Sequence, residues 1–154
     1  MTIKNGRELL AMPGPTTVPD AVLAAMHRPA IDIYAGELLD LTDQCLDNLR
    51  TVFRTRGRTY IYAANGHGAW EGGLANVLSR GDEILVLESG RFAINWGGMA
   101  RTMGITVHGL DGTFRSAVDP QRVEERLRED TAGNIKAVLI VQVDTASGVV
   151  NDIP

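Results

Sequence analysis

Apolar residues follow two different spacings along the chain. Between about residues 36 and 53 they recur every three or four positions, which predicts an amphipathic helix. The members of this apolar stripe are Leu38, Leu41, Cys45, Leu46 and Leu49. Later in the chain the apolar residues form short continuous runs, of which Ala-Val-Leu-Ile-Val at 137–141 is the clearest. Such a run is typical of a strand that is buried on both faces.

From residue 59 onward, predicted strands alternate with predicted helices. We expect strands at about 59–63, 83–87, 105–109 and 136–143. We expect helices between them at about 68–78, 92–103 and 120–128, and the last should begin with Asp119 as cap and Pro120 in its first turn. This alternation predicts an α/β fold, a three-layer αβα arrangement with a mostly parallel sheet.

The N-terminal segment has a different character. Prolines at positions 13, 15 and 19 and Gly14 interrupt it too often for a helix or strand, so residues 1–19 are predicted to be an arm. Asp20 offers an N-cap for a short helix over 21–26. Residues 20–154 are then expected to form one α/β domain. Because the chain stops soon after an apolar strand, where such a fold would continue into a helix, we expect that domain to be incomplete.

Composition narrows the classes of function. The formal net charge is −4 and the arginines are scattered, so the basic face of a nucleic-acid-binding protein is not expected. No apolar run approaches the roughly 20 residues of a membrane span, and the N-terminus lacks the pattern of a signal peptide. We therefore expect a cytoplasmic protein without membrane contact. The single cysteine, Cys45, cannot form an internal disulfide and is expected to be a buried thiol.

Lysine is scarce in this chain. The 15 basic residues are 13 arginines and two lysines, Lys4 and Lys136. Any chemistry that requires a lysine therefore has only two positions available in this sequence.

A glycine-rich segment, Asn65-Gly66-His67-Gly68, follows the first predicted strand and begins a predicted helix. Free backbone N–H groups and the helix dipole favour an anion at such a place, and Asn65 could cap the helix. The segment matches neither common nucleotide loop, since no Lys-Ser or Lys-Thr pair follows and Glu71 stands where the dinucleotide pattern needs glycine. From spacing alone, a phosphate site and a tight strand-to-helix turn both stay open.

His67 alone does not predict a metal site. A zinc ion would require further ligands, and neither His27 nor His108 has a ligand spacing to it. We therefore expect no bound metal, and expect His67 to be a surface or hydrogen-bonded residue.

Two more loops follow predicted strands. Glu-Ser-Gly-Arg-Phe at 88–92 places Phe92 at the start of a helix, where it is either a core aromatic or part of a site. Asp-Thr-Ala-Ser-Gly at 144–148 follows the last strand, and its short side chains are either helix or turn caps or ligand contacts. Because the carboxyl ends of parallel strands share one edge of a sheet, the three loops together favour a ligand site.

Five stretches in order carry a resemblance to a known family. They are residues 12–19 (Met-Pro-Gly-Pro-Thr-Thr-Val-Pro), 65–71 (Asn-Gly-His-Gly-Ala-Trp-Glu), Gly81-Asp82, 90–93 (Gly-Arg-Phe-Ala) with Trp96, and 144–149 (Asp-Thr-Ala-Ser-Gly-Val). Together they resemble the class V aminotransferases, pyridoxal-phosphate enzymes of fold type I, and most closely the serine–glyoxylate and alanine–glyoxylate branch. The resemblance extends over the chain from about residue 11, and it implies the N-terminal part of the family's large cofactor-binding domain.

The resemblance implies roles for five residues toward pyridoxal 5′-phosphate. Asn65, Gly66 and His67 match the loop that holds the phosphate, Phe92 matches the aromatic that stacks on the pyridine ring, and Thr145 matches a hydroxyl near the ring oxygen. It also implies a homodimer. The chain departs from the family at Asn65, where relatives often have serine, and at residues 32–34, which read Asp-Ile-Tyr where relatives often have Asp-His-Arg.

The resemblance also implies residues that this chain does not contain. The family's Schiff-base lysine and the aspartate that faces the pyridinium nitrogen lie beyond the position of Pro154, and so does the arginine that binds the substrate carboxylate. Lys4 and Lys136 match neither position. The full-length protein is thus expected to transfer an amino group from a small donor such as serine or alanine to glyoxylate or another 2-oxo acid. The 154-residue chain alone is expected to be inactive. The alternative is a non-catalytic anion-binding or interaction module that kept the fold.

Overall fold

The computed structural model describes residues 10–153, so Lys4 and Pro154 lie outside the described residues. The chain forms two compact units that divide between Tyr62 and Ala63. Residues 10–19 contain no helix or strand. The arm at 1–19 and the domain boundary at 20 stay predictions, and the two units are described separately.

The first unit contains helices α1 (Asp20–Met26) and α2 (Glu37–Val52). The predicted helix at 36–53 is confirmed as α2, and Gly36 precedes it with a φ of 76°, a conformation that favours glycine. The predicted cap of α1 is wrong by one residue. The carbonyl of Pro19 accepts the N–H groups of Val22 and Leu23, each at 3.0 Å, so Pro19 holds the cap position and Asp20 is the first helical residue.

Two expectations for the first unit are wrong. Residues 59–63 do not form a strand, because a strand requires a hydrogen-bonded neighbour and the three strands within residues 10–153 pair only with one another. Cys45 is exposed rather than buried. The structure describes all of α1 and α2, and none of their residues is buried. The apolar stripe of α2 is only partly covered, because Leu46 is half-buried beside Thr59, whose hydroxyl donates to the Leu46 carbonyl at 2.7 Å.

The second unit contains three helices and three strands in alternation. They are α3 (Gly66–Val77), β1 (Glu83–Glu88), α4 (Arg91–Thr102), β2 (Thr106–Asp111), α5 (Pro120–Glu129) and β3 (Ile135–Leu139). The predicted elements are confirmed to within about four residues at each end. The predicted start of α5 is confirmed too, since the Oδ1 atom of Asp119 accepts the N–H of Gln121 at 2.9 Å.

The three strands form a parallel sheet in the order β2-β1-β3. The central strand β1 is the most buried element, and its side chains alternate between the two faces. Ile84 and Val86 pack on one face with Leu74 of α3 and with α4. On the other face, Leu87 lines a cavity with Val123 of α5. Helices therefore lie on both faces of a parallel sheet, and the predicted α/β fold is confirmed.

The chain after β3 does not continue the predicted strand to residue 143. It turns back on itself instead. The N–H of Asn151 donates to the carbonyl of Gln142 at 2.7 Å, and Val143 forms an isolated antiparallel bridge with Val150. Gly148 makes this reversal with a φ of 70°. The apolar run 137–141 is thus only partly strand, because its carboxyl end feeds a tight loop.

Candidate functional site

Asn65 caps the first turn of α3. Its Oδ1 atom accepts the N–H of His67 at 3.0 Å, and its carbonyl accepts the N–H of Gly68 at 3.0 Å. Asn65, Gly66 and His67 are all exposed. A Cβ atom added at Gly66 would meet no atom within 4 Å, so open space lies beside this turn. The cap that the sequence predicted is present: it holds the N–H of His67, while Gly66 at the start of α3 stays exposed.

Gly68 has a different role from Gly66. A Cβ atom added at Gly68 would overlap with the Cβ atom of Ala64, so the chain before α3 passes too close for any larger residue. The tight-turn interpretation of the glycine-rich segment therefore holds at Gly68. It does not compete with an anion site, because the exposed start of α3 at Gly66 lies earlier in the chain.

Four rings from α3 and α4 form an aromatic group beside this turn. The members are His67, Trp70, Phe92 and Trp96. The centroid of the His67 ring lies 4.6 Å from that of Trp70 and 6.3 Å from that of Phe92. Phe92 is half-buried and lies outside the buried core cluster, so it is not the core aromatic that the sequence left open. The structure thus brings the glycine-rich segment and Phe92 together.

Trp96 forms the inner end of the aromatic group. Its ring stacks on Trp70 with a centroid distance of 5.5 Å and an interplanar angle of 15°. The indole Nε1 of Trp96 is buried without a hydrogen-bond partner among residues 10–153. The two tryptophans join α3 to α4, and the ring of His67 contacts that of Trp70.

Asp144 caps α4, a role that sequence reasoning did not assign. Its Oδ2 atom accepts the N–H groups of Phe92 at 2.7 Å and Ala93 at 3.3 Å, and its Oδ1 atom accepts the N–H of Ala146 at 3.0 Å. The Asp144 side chain is completely buried. Sequence spacing offered no signal for this contact, because the cap lies 52 residues away from the helix that it caps.

Thr145 is exposed. It lies between Asp144 and Ala146, which are joined by the hydrogen bond from the Ala146 N–H to the Asp144 carboxylate. It is linked to Phe92 through the carboxylate of Asp144 rather than by a ring contact. Of the five residues that the sequence singled out, the structure brings His67 and Phe92 into ring contact. It places Asn65 and Gly66 next to His67 along the chain.

The two helix starts at this edge of the sheet differ in charge. The start of α4 is occupied by the buried carboxylate of Asp144, whereas the start of α3 is capped by the neutral, exposed amide of Asn65. A second anion at α4 would lie beside an existing negative charge, which is unfavourable in a buried setting. An anion at α3 meets the exposed start of the helix at Gly66 and the positive end of the dipole, and it competes only with a neutral side chain for the N–H of His67. The geometry therefore favours α3 as the anion-binding helix.

Other polar clusters do not form a second centre of this kind. Nε2 of His108 lies 2.6 Å from Oε2 of Glu83, which joins β2 to β1 at the opposite edge of the sheet. Within residues 10–153, no group of three or more His, Cys, Asp or Glu side chains is placed to hold a metal ion. No helix in the described part of the chain is long and apolar enough to cross a membrane.

Comparison with known proteins supplies relatives over almost the whole chain. The serine–glyoxylate aminotransferase of Methylorubrum extorquens is 36% identical over 153 residues, which are 99% of this chain and 38% of that protein. The soluble hydrogenase 42 kDa subunit of Anabaena cylindrica is 33% identical over 145 residues, which are 94% of this chain and 38% of that protein. No protein-family model matches the chain.

A solved structure shares the fold. The ureidoglycine–glyoxylate aminotransferase of Bacillus subtilis has a TM-score of 0.76 and 25% sequence identity over 95% of this chain, which is 39% of that enzyme. The chain thus spans less than two fifths of the relatives that it matches. By sequence and by fold, the chain is similar over almost its whole length to a part of two glyoxylate aminotransferases, one that uses serine and one that uses ureidoglycine.

Proposed function

We propose that the protein to which this chain belongs is a pyridoxal-phosphate-dependent aminotransferase. It would transfer an amino group from a small donor such as serine or alanine to glyoxylate or another 2-oxo acid. The observation that carries the proposal is the homology with a serine–glyoxylate aminotransferase over 99% of this chain. Because the chain spans only 38% of that relative, the activity is proposed for the whole protein.

The cofactor phosphate would bind at the start of α3. Three features of this chain fit a phosphate there: the exposed first helical residue Gly66, the open space beside it, and a neutral cap that a phosphate could displace from the N–H of His67. The N–H of His67 donates to the Asn65 side chain. When that N–H donates to a phosphate oxygen instead, the Asn65 side chain would rotate. Its amide group would then be free to donate to a phosphate oxygen.

The ring of the cofactor would lie against Phe92. The half-buried Phe92 ring is supported from behind by Trp70, with a centroid distance of 5.9 Å and an interplanar angle of 72°. Thr145 would place its hydroxyl near the ring oxygen from the neighbouring loop. The bound cofactor supplies an electron sink for the carbanion that forms when the substrate loses its α-proton. The residues of this chain bind and orient the cofactor and exclude water from one face of it.

The remaining catalytic groups would come from the part of the enzyme outside this chain. Lys136 is an exposed residue of β3, and Lys4 lies outside the described residues, so neither is assigned as the Schiff-base lysine. We accordingly propose that the isolated chain does not transaminate. A homodimer and a cytoplasmic location complete the proposal.

The test measures amino transfer directly. The complete coding sequence that contains this chain is expressed, loaded with pyridoxal phosphate and incubated with ¹⁵N-labelled serine or alanine and glyoxylate. We expect labelled glycine, and we expect none from the 154-residue chain under the same conditions. A folded full-length protein that binds the cofactor but labels no glycine from any small amino acid would contradict the proposed reaction.

A second candidate function is a non-catalytic module. The observation in its favour is the relative from Anabaena cylindrica that is named a hydrogenase subunit. In this case the protein would bind an anion or a partner without transferring an amino group. Three results together would support the non-catalytic module over the enzyme. The full-length protein would bind phosphate, it would form no labelled glycine, and borohydride would attach no cofactor to a lysine.

A further inference from the structure

We propose that Asp144 is a positioning residue that sets the location of the Phe92 ring in the cofactor site. The inference rests on the proposed function, because it concerns the wall against which the cofactor ring would lie. It goes beyond that function in assigning a role to a buried carboxylate that would contact neither the cofactor nor the substrate.

The hydrogen bonds of Asp144 join two loops. One carboxylate oxygen accepts from Phe92 at 2.7 Å and from Ala93 at 3.3 Å, both in the first turn of α4. The other oxygen accepts from Ala146 at 3.0 Å, in the loop that carries Thr145. Because the N–H of Phe92 is itself a donor in this set, the backbone that carries the ring is held directly rather than through a neighbouring residue.

The packing around Asp144 leaves it one position. Gly90 lies so close that a Cβ atom there would overlap with the Cγ, Oδ2 and Cβ atoms of Asp144. Ser147, in the same loop, donates its hydroxyl to the carbonyl of Ser89 at 3.3 Å, which draws the loop toward the end of β1. The side chain of Asp144 is fully buried, so water does not compete for its oxygens.

The start of α4 with Phe92 and the loop with Thr145 should therefore move together, because both are hydrogen-bonded to Asp144. A displacement of the Asp144 carboxylate would shift the start of α4, and with it the ring of Phe92, relative to Thr145. The start of α3 would not follow, since its own cap is the Asn65 side chain. Loss of Asp144 should therefore weaken contacts to the cofactor ring while leaving contacts to the cofactor phosphate intact.

An Asp144→Asn variant tests this separation. The asparagine keeps the shape but replaces one acceptor oxygen by a donor, so it cannot accept from both Phe92 and Ala146. The control is Asp119→Asn, which makes the same substitution at the exposed cap of α5, away from the aromatic group. Both variants have the same charge, and each alters one cap.

The measurement compares two probes, inorganic phosphate and pyridoxamine 5′-phosphate, which has the ring and the phosphate but no aldehyde to react with lysines. Binding to the full-length protein is followed by tryptophan fluorescence, to which Trp70 and Trp96 contribute from the aromatic group that includes Phe92. We expect Asp144→Asn to weaken pyridoxamine phosphate about tenfold or more, as loss of a hydrogen bond to a charged group does, and to leave inorganic phosphate unchanged. Asp119→Asn should change neither.

Each outcome decides the matter. Equal losses for the two probes, or no loss for either, would overturn the positioning role, because a merely structural cap would not separate ring from phosphate. If the unaltered full-length protein binds neither probe, the proposed cofactor site is wrong, and the proposed role of Asp144 in that site is wrong too. A loss of pyridoxamine phosphate in Asp119→Asn as large as in Asp144→Asn would also overturn the role.

A measurement on the unaltered chain covers the case in which Asp144→Asn does not fold. Amide hydrogen exchange should be much slower at Phe92 than at Gly66, since the first amide donates to a buried carboxylate and the second is an exposed first-turn amide. Similar exchange rates at the two positions would show that the Asp144 cap does not hold Phe92, and would overturn the proposal.

Discussion

The side-chain amide of Asn151 donates to the hydroxyl of Ser89 at 2.8 Å, and both side chains are buried. The same Nδ2 atom donates to the carbonyl of Val141 at 2.7 Å, and the Oδ1 atom accepts the N–H of Val118 at 2.9 Å. One side chain therefore joins the end of β1, the chain after β3 and the segment that precedes α5. This junction holds the loop of Thr145 at the carboxyl end of the sheet.

Replacement of Asn151 by alanine should destabilise the second unit markedly. It leaves the buried hydroxyl of Ser89 and the N–H of Val118 without partners, so we expect a loss of about 2 to 4 kcal/mol in the free energy of unfolding. Urea denaturation measures it. Asn95→Ala, an exposed change in α4, is the control and should cost less than about 0.5 kcal/mol. Equal effects of the two variants would contradict the role of Asn151.

Replacement by alanine should have opposite effects on stability at Gly90 and Gly98. Gly90→Ala places a methyl group against the carboxylate of Asp144, so we expect the unfolding midpoint in urea to fall. Gly98→Ala places it in the middle of α4, where nothing lies within 4 Å. This change should stabilise the chain by about 0.5 to 1 kcal/mol, because alanine restricts the unfolded chain more than glycine does. A neutral Gly90→Ala would show that Asp144 is not packed against residue 90.

The cap of α3 should be replaceable by serine but not by alanine. Asn65→Ala removes the acceptor of the His67 N–H and should cost about 1 kcal/mol in the free energy of unfolding, whereas serine restores a side-chain acceptor. Thermal unfolding followed by circular dichroism distinguishes them. Asn76→Ala in the same helix is the control: it removes only an exposed hydrogen bond to the Gly72 carbonyl, and the higher helix propensity of alanine should offset that loss. If Asn65→Ala were as stable as the unaltered chain, the cap would contribute nothing.

Asp130 should make the stability depend on pH in acid. Its carboxylate accepts the N–H of Ile135 at 2.8 Å and that of Asn134 at 3.0 Å. These two hydrogen bonds, in that order, lower the pKa of Asp130 from its ordinary value of 3.8. A lowered pKa means that the stabilisation is complete above the ordinary value and is lost as the pH falls through the lowered one.

An Asp130→Asn variant measures this contribution. We expect it to lower the unfolding midpoint at neutral pH and to reduce the fall in stability below about pH 4, because the group that takes up a proton on unfolding is gone. Glu125→Gln, which removes an exposed carboxylate of α5, corrects for the loss of one charge. An Asp130→Asn profile that runs parallel to that of the unaltered chain in acid would contradict the assignment.

Local pattern was a good guide wherever an element is stabilised by its own residues and by near neighbours. The Asp119-Pro120 start of α5 and the Asn65 cap of α3 lie within a few residues of the contacts that stabilise them, and the spacing that predicts α2 lies wholly within that helix. The same reasoning failed at 59–63 and at Cys45, where the outcome depends on which other segment covers an apolar face. The residues near such a face do not specify which distant segment packs on it.

The candidate site divides in the same way. Five ordered motifs were enough to indicate the family and to select Asn65, Gly66, His67, Phe92 and Thr145, and the homology with aminotransferases supports that indication. Whether these residues act on a cofactor stays a proposal. The ring contact of His67 with Phe92 and the cap that joins Phe92 to the Thr145 loop were not predictable from spacing.

By itself, the sequence determined the order and type of the elements from α3 to β3, the resemblance to class V aminotransferases and the scarcity of lysine. Only the tertiary structure decided which helix start is open to an anion. Both α3 and α4 follow a loop with glycine, so the sequence near them does not distinguish their positive ends. Folding brings the carboxylate of Asp144 from 52 residues away to the start of α4, and not to that of α3. The difference arises because charges act through space, and the spacing of residues in a sequence does not specify that distance.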